Sequence, residues 1–512
     1  MKKKPERLTP RLILICGLAG LWWCAPITES CAQNPVSNNT LRLAVNVLPP
    51  GFGSAYRTTA TPSITTTSAL FDGLTRLDHL GNVSPWLAER WEPISETRWR
   101  FYLRKDVVFS NGVPFDSSAV VHVVTYLTEK GSPLESVRRD MPWLAGAESM
   151  DDHTVDILTK VPVPTFDRYA ATLLMTEPGA FKDLGPEAYA LNPIVTGPFT
   201  ISAWQPNSVR MEANPTTWRP PKLDGAEIIA LPDSTTRVQA VLSGRVDVAV
   251  ALGPDEAKMI EAAGGSFVTF SSGQIANVTF NTLGDTPFKD VRVRRALNMA
   301  VNRDLIIEVL VAGSTEPANQ PATKTSFGYN PDLPLFPYDP DRARALLAEA
   351  GYPNGFSFKL RTSLAGPGQA SVYQQVASDL RSIGVEMIFD VVPSTLYLSE
   401  LIRLGEIAEA FTLPIALFPT VDSMRAMSFH SCLWPSPGYC NETIQPVIEQ
   451  ALIEWDQDKA IELRRQVMAH YHDQAAVLYL HESPSFVGLS ARVRNYGDVF
   501  GFVGYDVIEL VD

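Results

Sequence analysis

Cysteine is scarce in this chain: five residues in 512, three of them (Cys16, Cys24 and Cys31) within the first 32. The remainder holds only Cys432 and Cys440, so neither a cysteine-rich scaffold nor a multi-cysteine zinc module is available. Histidine is also sparse, with seven residues spread along the chain. There is no HExxH, no Gly-x-Ser-x-Gly, no Gly-rich phosphate loop and no CxxC, which removes the motif-bearing hydrolases, zinc enzymes and nucleotide binders. His470 and His472 are two apart in a helical pattern and do not share a face, so no metal, cofactor or catalytic residue is assigned. Positive charge is in deficit, with 43 Lys and Arg against 56 Asp and Glu, a net charge of −13. That balance excludes a nucleic-acid footprint.

No apolar stretch is long enough to span a bilayer. The longest, Leu12 to Ala25, is roughly 14 residues where ~20 are needed. It follows a basic segment (Lys2, Lys3, Lys4, Arg7, Arg11) and precedes Ser30-Cys31-Ala32. This order reads as a secretory signal over residues 1–32 with small residues at the cleavage site, and places the protein in the periplasm. A lipid anchor on Cys24 or Cys31 is the competing reading, but neither follows the usual Leu and small-residue pattern. Losing five positive and two negative charges with the signal leaves −16 on the remainder. Two cysteines in an exported chain imply a Cys432–Cys440 disulfide closing a short loop.

What is present is a globular composition, 45% hydrophobic and 19% charged, in a chain long enough for two or three domains. Leu41 to Val47 alternates and stops at Pro49-Pro50-Gly51, a strand opening into a loop. Trp99, Phe101 and Leu103 alternate ahead of an Asn111-Gly112 turn. Helical spacing begins near Ser117 and runs through Val120, Val124 and Leu127. Ser234 is read as the cap of a helix ended by Gly244, followed by a strand over Val246 to Val250. Asp339-Pro340 opens a helix that ends at Gly351. The alternation predicts an α/β fold.

The segment Leu70-Phe71-Asp72-Gly73-Leu74-Thr75-Arg76, then Pro85-Trp86-Leu87-Ala88-Glu89-Arg90-Trp91 and Trp99 to Gly112, resembles the family 5 extracellular solute-binding proteins. The likeness recurs at Thr196-Gly197-Pro198-Phe199, Ser243 to Asp247, Pro287 to Leu297, and Tyr338 to Tyr352. It implies a periplasmic binding protein-like α/β fold: two lobes around a ligand cleft, with a subdomain inserted in the first. The expected division is a signal over 1–32, lobe I over 33–275 with the insertion at about 63–185, lobe II over 276–484, and a return to lobe I over 485–512. The function implied is capture of a small ligand by hinge closure and delivery to an ABC permease in the inner membrane, by a monomer that catalyses nothing. A secreted hydrolase is the alternative. Most of the motifs themselves read as structural: Gly73, Gly112 and Gly197 as turns, and Arg294 and Arg295 on the outside of a helix whose Ala296, Leu297 and Ala300 pack inward.

Peptide binders of this family hold the peptide ammonium on an Asp that follows a Trp in a lobe II loop. The corresponding stretch here, Ile415 to Ser423, has Ala416 at the Trp and Pro419 at the Asp when Asp422-Ser423 is matched to the family's Asp-Pro. An ordinary peptide ligand is therefore in doubt, and a sugar, an opine-like conjugate or a metal chelate becomes the competing class. A register shift of three residues instead makes Asp422 the anchor. The further candidates for the cleft are Tyr56 after the first strand, Gln274 and Asn277 on the strand entering lobe II, and Phe418, Thr420, His430 and Trp434.

Overall fold

Leu41, Leu43, Ala44 and Val45 have no exposed surface, because the strand they form, Thr40–Val45, lies in the middle of a sheet. Near-continuous burial on both faces is what a parallel strand requires, and this strand pairs in parallel with Gly225–Ala230 on one side and Val248–Leu252 on the other. Ser208–Ala213 and Phe199–Gln205 extend the sheet antiparallel beyond Gly225–Ala230. This computed structural model describes residues 37–511 except 58–60, 130–134, 365, 367, 399, 402–404 and 406–407. The expected signal segment lies outside the described residues.

Two long antiparallel strands, Ser266–Phe280 and Val477–Leu489, run from this sheet into a second α/β body. At about 3.3 Å per residue, the 15-residue strand is long enough to belong to both. The far half carries Phe356–Thr362 and Val385–Val391, paired in parallel, with Ala410–Phe411 between them and the long strand. Helices Val291–Ala300, Pro340–Glu349 and Gln369–Ser382 cover it. Val293, Ala296, Leu297, Val376 and Leu380 meet Val278 and Leu360 in one core. A separate core gathers around Leu43, Phe101, Val120 and Phe166.

Between residues 88 and 159 the chain builds a detached four-stranded antiparallel sheet, in the order Ala88–Ser95, Arg98–Leu103, Thr154–Thr159, Leu144–Asp151. Helix Ser117–Thr128 packs its buried Val120, Val123, Val124 and Leu127 against it. Cys432 and Cys440 form the expected disulfide, with S–S 2.07 Å.

Three local expectations change. Asp233, not Ser234, caps helix Ser234–Leu242, its carboxylate accepting from Thr236 N. Gly112 is a turn residue at φ 83°. Gly73 and Gly197 are instead close-packing positions, where an added Cβ would lie 2.5 Å from the Ala171 carbonyl oxygen and 2.6 Å from the Leu70 carbonyl. Arg294 is buried rather than on the outer face. Its guanidinium donates to the carbonyls of Gln474, Phe288 and Lys289, stitching its helix to the end of Gln457–Asp473. Arg295 is exposed and also reaches a carbonyl, that of Asp473.

Candidate functional site

The two long strands shift register twice: Ser271 pairs with Pro484 but the next pair is Ile275 with Glu482, and Ala276 pairs with His481 but Asn277 with Tyr479. Pro484 has no amide hydrogen to give the ladder, and Gly273 sits at φ 65° in the slipped segment. Such a break in the ladder is where a strand pair can bend most easily, and it falls where the strands pass between the two bodies. A cleft of about 290 Å³ opens beside this point. Its walls come from both bodies: Asn46, Thr65 and Asp498 on one side, Gln369 and Tyr373 on the other, with Gln274 and His481 from the long strands at its base.

Each polar lining group is placed by local structure. Asn46 directly follows the first strand, and its buried side-chain oxygen has no hydrogen-bond partner among the described residues. Gln369 begins the helix Gln369–Ser382, entered through Gly368 at φ 72°. Tyr373, one turn on, donates to the Asn277 carbonyl at 3.1 Å. His481 is tied through Nδ1 to the Glu482 carbonyl at 2.8 Å, and burial holds its pKa down. Asp498 starts the tight hairpin Asp498–Val499 to Phe502–Val503, whose turn residues Phe500 and Gly501 have φ of 52° and 91°. Its carboxylate accepts from Gly501 N at 2.6 Å, and burial raises its pKa to about 6.

Of the eight residues proposed from sequence, Gln274 alone is among those lining this cleft. Asn277 lies on the same strand, buried, its amide nitrogen on Thr279 at 2.9 Å. Tyr56 is in the core of the first body, donating to the Leu174 carbonyl and packed on Tyr126 and Phe181. His430 is buried, with its pKa pushed down to about 4. Trp434 packs on Phe429 and with Tyr397 and Phe411 in a satellite core.

Phe418, Thr420 and Asp422 are not among the residues lining the cleft and belong to a contact between the two bodies. Phe418 meets Phe500 and Phe502, with ring centroids 6.2 and 6.3 Å apart, in a cluster that includes Ile64, Leu77 and Val421. The Thr420 carbonyl accepts from Arg168 at 3.1 Å. Asp422 caps helix Ser423–His430 and pairs with the buried Arg464, both oxygens at 3.0 Å from guanidinium nitrogens. Thr165 reaches the same carboxylate at 3.4 Å, and Arg425 pairs with Asp140 at 3.5 Å. Burial pushes the Asp422 carboxyl up, but the Arg464 charge outweighs it and the group stays below the ordinary carboxylate value. With its lone pairs already engaged, Asp422 is not offered to a ligand.

Sequence reasoning missed Asn46, Gln369, Tyr373, His481 and Asp498. Asn46 was within reach, since it directly follows the first strand, where ligands of open α/β sheets commonly sit. The others carry no motif; they meet through strand crossover and the return of the chain at its C-terminus.

Residues 82–431 match the family model described as "Bacterial extracellular solute-binding proteins, family 5 Middle". The chain belongs to this family. Family 5 proteins are the extracellular binding components of ABC importers, and this solute-binding protein shares their two-lobed α/β fold. It is 27% identical to heme-binding protein A of Haemophilus influenzae over 92% of its own length and 91% of that protein. It is also 27% identical to the dipeptide-binding protein of Escherichia coli, over 81% and 83% of the two chains. The solved structure of HbpA2 from Haemophilus parasuis superposes with a TM-score of 0.78 at 23% identity, covering 92% of this chain and 100% of that one. The bodies described above are thus the two lobes, and the hinge strands join them.

Proposed function

We propose that this protein captures a small polar solute in the cleft at its hinge and presents the closed form, as a monomer, to an inner-membrane ABC permease. The observation that carries the reading is the composition of the cleft wall, in which polar groups from both lobes and from the hinge strands converge on one cavity. A ligand touching both walls favours the closed state by its differential affinity. Residues 33–275 with 485–512 form lobe I in this reading, with an insertion at about 63–185, and 276–484 form lobe II. The protein is exported to the periplasm and performs no chemistry; its relatives are named as binding proteins.

Equally similar relatives are named for heme and for a dipeptide, so the ligand is argued from this chain's own residues. The lobe II loop supplies no free acid: Pro419 stands where peptide binders place the anchoring Asp, and Asp422 is held by Arg464. A cavity of about 290 Å³ is at the lower end of the range for small-molecule sites. Both features favour a compact solute, such as an opine-like conjugate, a sugar or a small chelate, over an oligopeptide.

The test is thermal unfolding of residues 33–512 with separate pools of di- to pentapeptides, sugars, opine-like conjugates and metal chelates. A solute at 100 times its Kd stabilises the native state by about 2.7 kcal/mol. A rise in midpoint with a compact solute supports the reading. A rise with tetra- and pentapeptides alone would overturn it.

A further inference from the structure

Asp498 is the one carboxylate among the described residues lining the cleft. No Arg, Lys or His of the described residues is in ion-pair contact with it. One oxygen accepts from Gly501 N; the nearest cationic influence is Arg76, which sits over the Trp86 ring at 4.4 Å. The phenols of Tyr496 and Tyr505, both kept neutral, feel its charge, and His481, which burial keeps neutral, lines the same cleft. Asn46 adds to the same cavity a buried side-chain oxygen that has no donor among the described residues. A half-buried carboxylate with no cationic partner and a buried carbonyl oxygen with no donor are costly unless something else supplies them.

Resting on the reading of the cleft as the solute site, we propose that Asp498, together with Asn46, anchors a cationic nitrogen of the ligand, an ammonium or a guanidinium. The anchor has thus moved from the lobe II loop to the C-terminal hairpin of lobe I. The hairpin is built to couple this contact to closure, because its turn residue Phe500 packs on Phe418 of lobe II and lies against Gly273 in the slipped hinge segment. An ammonium between Asp498 and the Gln369 wall draws together the same two lobes that Phe500 and Phe418 already join.

The experiment uses the mature chain, its D498N variant, which retains an acceptor for Gly501 N, and D498E, which retains the charge. The probes are a pool of amine-bearing compact solutes (free amino acids, dipeptides, polyamines and opine-like conjugates) and the same pool N-acetylated, read by thermal unfolding and then by calorimetric titration of the solute that shifts it. The expected result is that wild type responds to the amine pool and not to its acetylated counterpart. D498N then loses affinity by about thirtyfold or more, D498E keeps part of it, and unliganded D498N melts above wild type at pH 7.5. Response to acetylated, neutral or anionic solutes, or an amine bound equally by D498N, overturns the anchor while leaving the cleft as the solute site. Failure of every pool, with sugars and chelates included, overturns the anchor and the solute-site reading together.

Discussion

Replacing Asp422 by Asn separates a structural role from a ligand-anchoring one. Asn at this position still caps helix Ser423–His430 through its side-chain oxygen, so the substitution removes the charge and little else. It leaves Arg464 buried, with two donors toward the carbonyls of Ala451 and Ala460 but without its counter-charge. Breaking one side of a buried pair costs about 3–5 kcal/mol. The carbonyl partners and the Asn oxygen place the expected loss toward the lower end, about 3 kcal/mol. Because the Asp422 carboxyl is held below its ordinary value, this stability is fully present above the unfolded-state pKa of about 3.9. It is lost only as pH falls through the lower folded value. The difference between D422N and wild type is therefore constant from pH 5 to pH 8. Urea unfolding at 25 °C measures it as a shift in midpoint with unchanged slope. A loss below about 1 kcal/mol accompanied by loss of solute binding would refute the assignment and restore Asp422 as the anchor.

Other outcomes follow from the same geometry. Gly73→Ala pushes a methyl to within 2.5 Å of the Ala171 carbonyl oxygen and is expected to destabilise by about 1–3 kcal/mol, seen as a lower thermal midpoint. Arg294→Ala strands the carbonyls of Phe288, Lys289 and Gln474 at about 1–3 kcal/mol or more, whereas exposed Arg295→Ala stays within about 0.5 kcal/mol; equal effects from the two would contradict the burial of Arg294. Asp498 has a folded pKa of about 6, above its unfolded value, so its ionisation opposes folding: stability falls as pH rises through the window from about 4 to 6. D498N should relieve this by at most about 3 kcal/mol above pH 6 and by almost nothing at pH 3, which denaturant melts across pH can check.

How much of this was legible differs by element. Motifs whose cause is local came through: the Asp339-Pro340 helix start, the Ser117–Thr128 stripe, the Asn111-Gly112 turn and the Cys432–Cys440 pair all depend on residues close in sequence. Gly73 and Gly197 were noticed, but their reason is the backbone of Ala171 and Leu70, invisible along the chain. Arg294 reads as surface because an isolated helix gives a buried guanidinium no partner; its acceptors arrive from residues 288, 289 and 474. The site suffered most. The loop Ile415 to Ser423 drew attention through resemblance, yet Phe418, Thr420 and Asp422 serve the contact between lobes. The cleft wall is assembled from Asn46, Gln369, His481 and Asp498, residues of separate segments that the sheet crossover and the C-terminal return of the chain bring together.

The central claim is that the hinge cleft holds the solute, and its most direct test is calorimetric titration of wild type and Q274W with whichever pooled solute raises the wild-type midpoint. Gln274 lines the base of the cleft, so an indole there fills the cavity while leaving the Asp422–Arg464 pair and both cores untouched. The account predicts saturable binding to wild type and none to Q274W, with the unliganded variant still unfolding in a single cooperative transition. Undiminished binding to a folded Q274W would place the ligand elsewhere and contradict it.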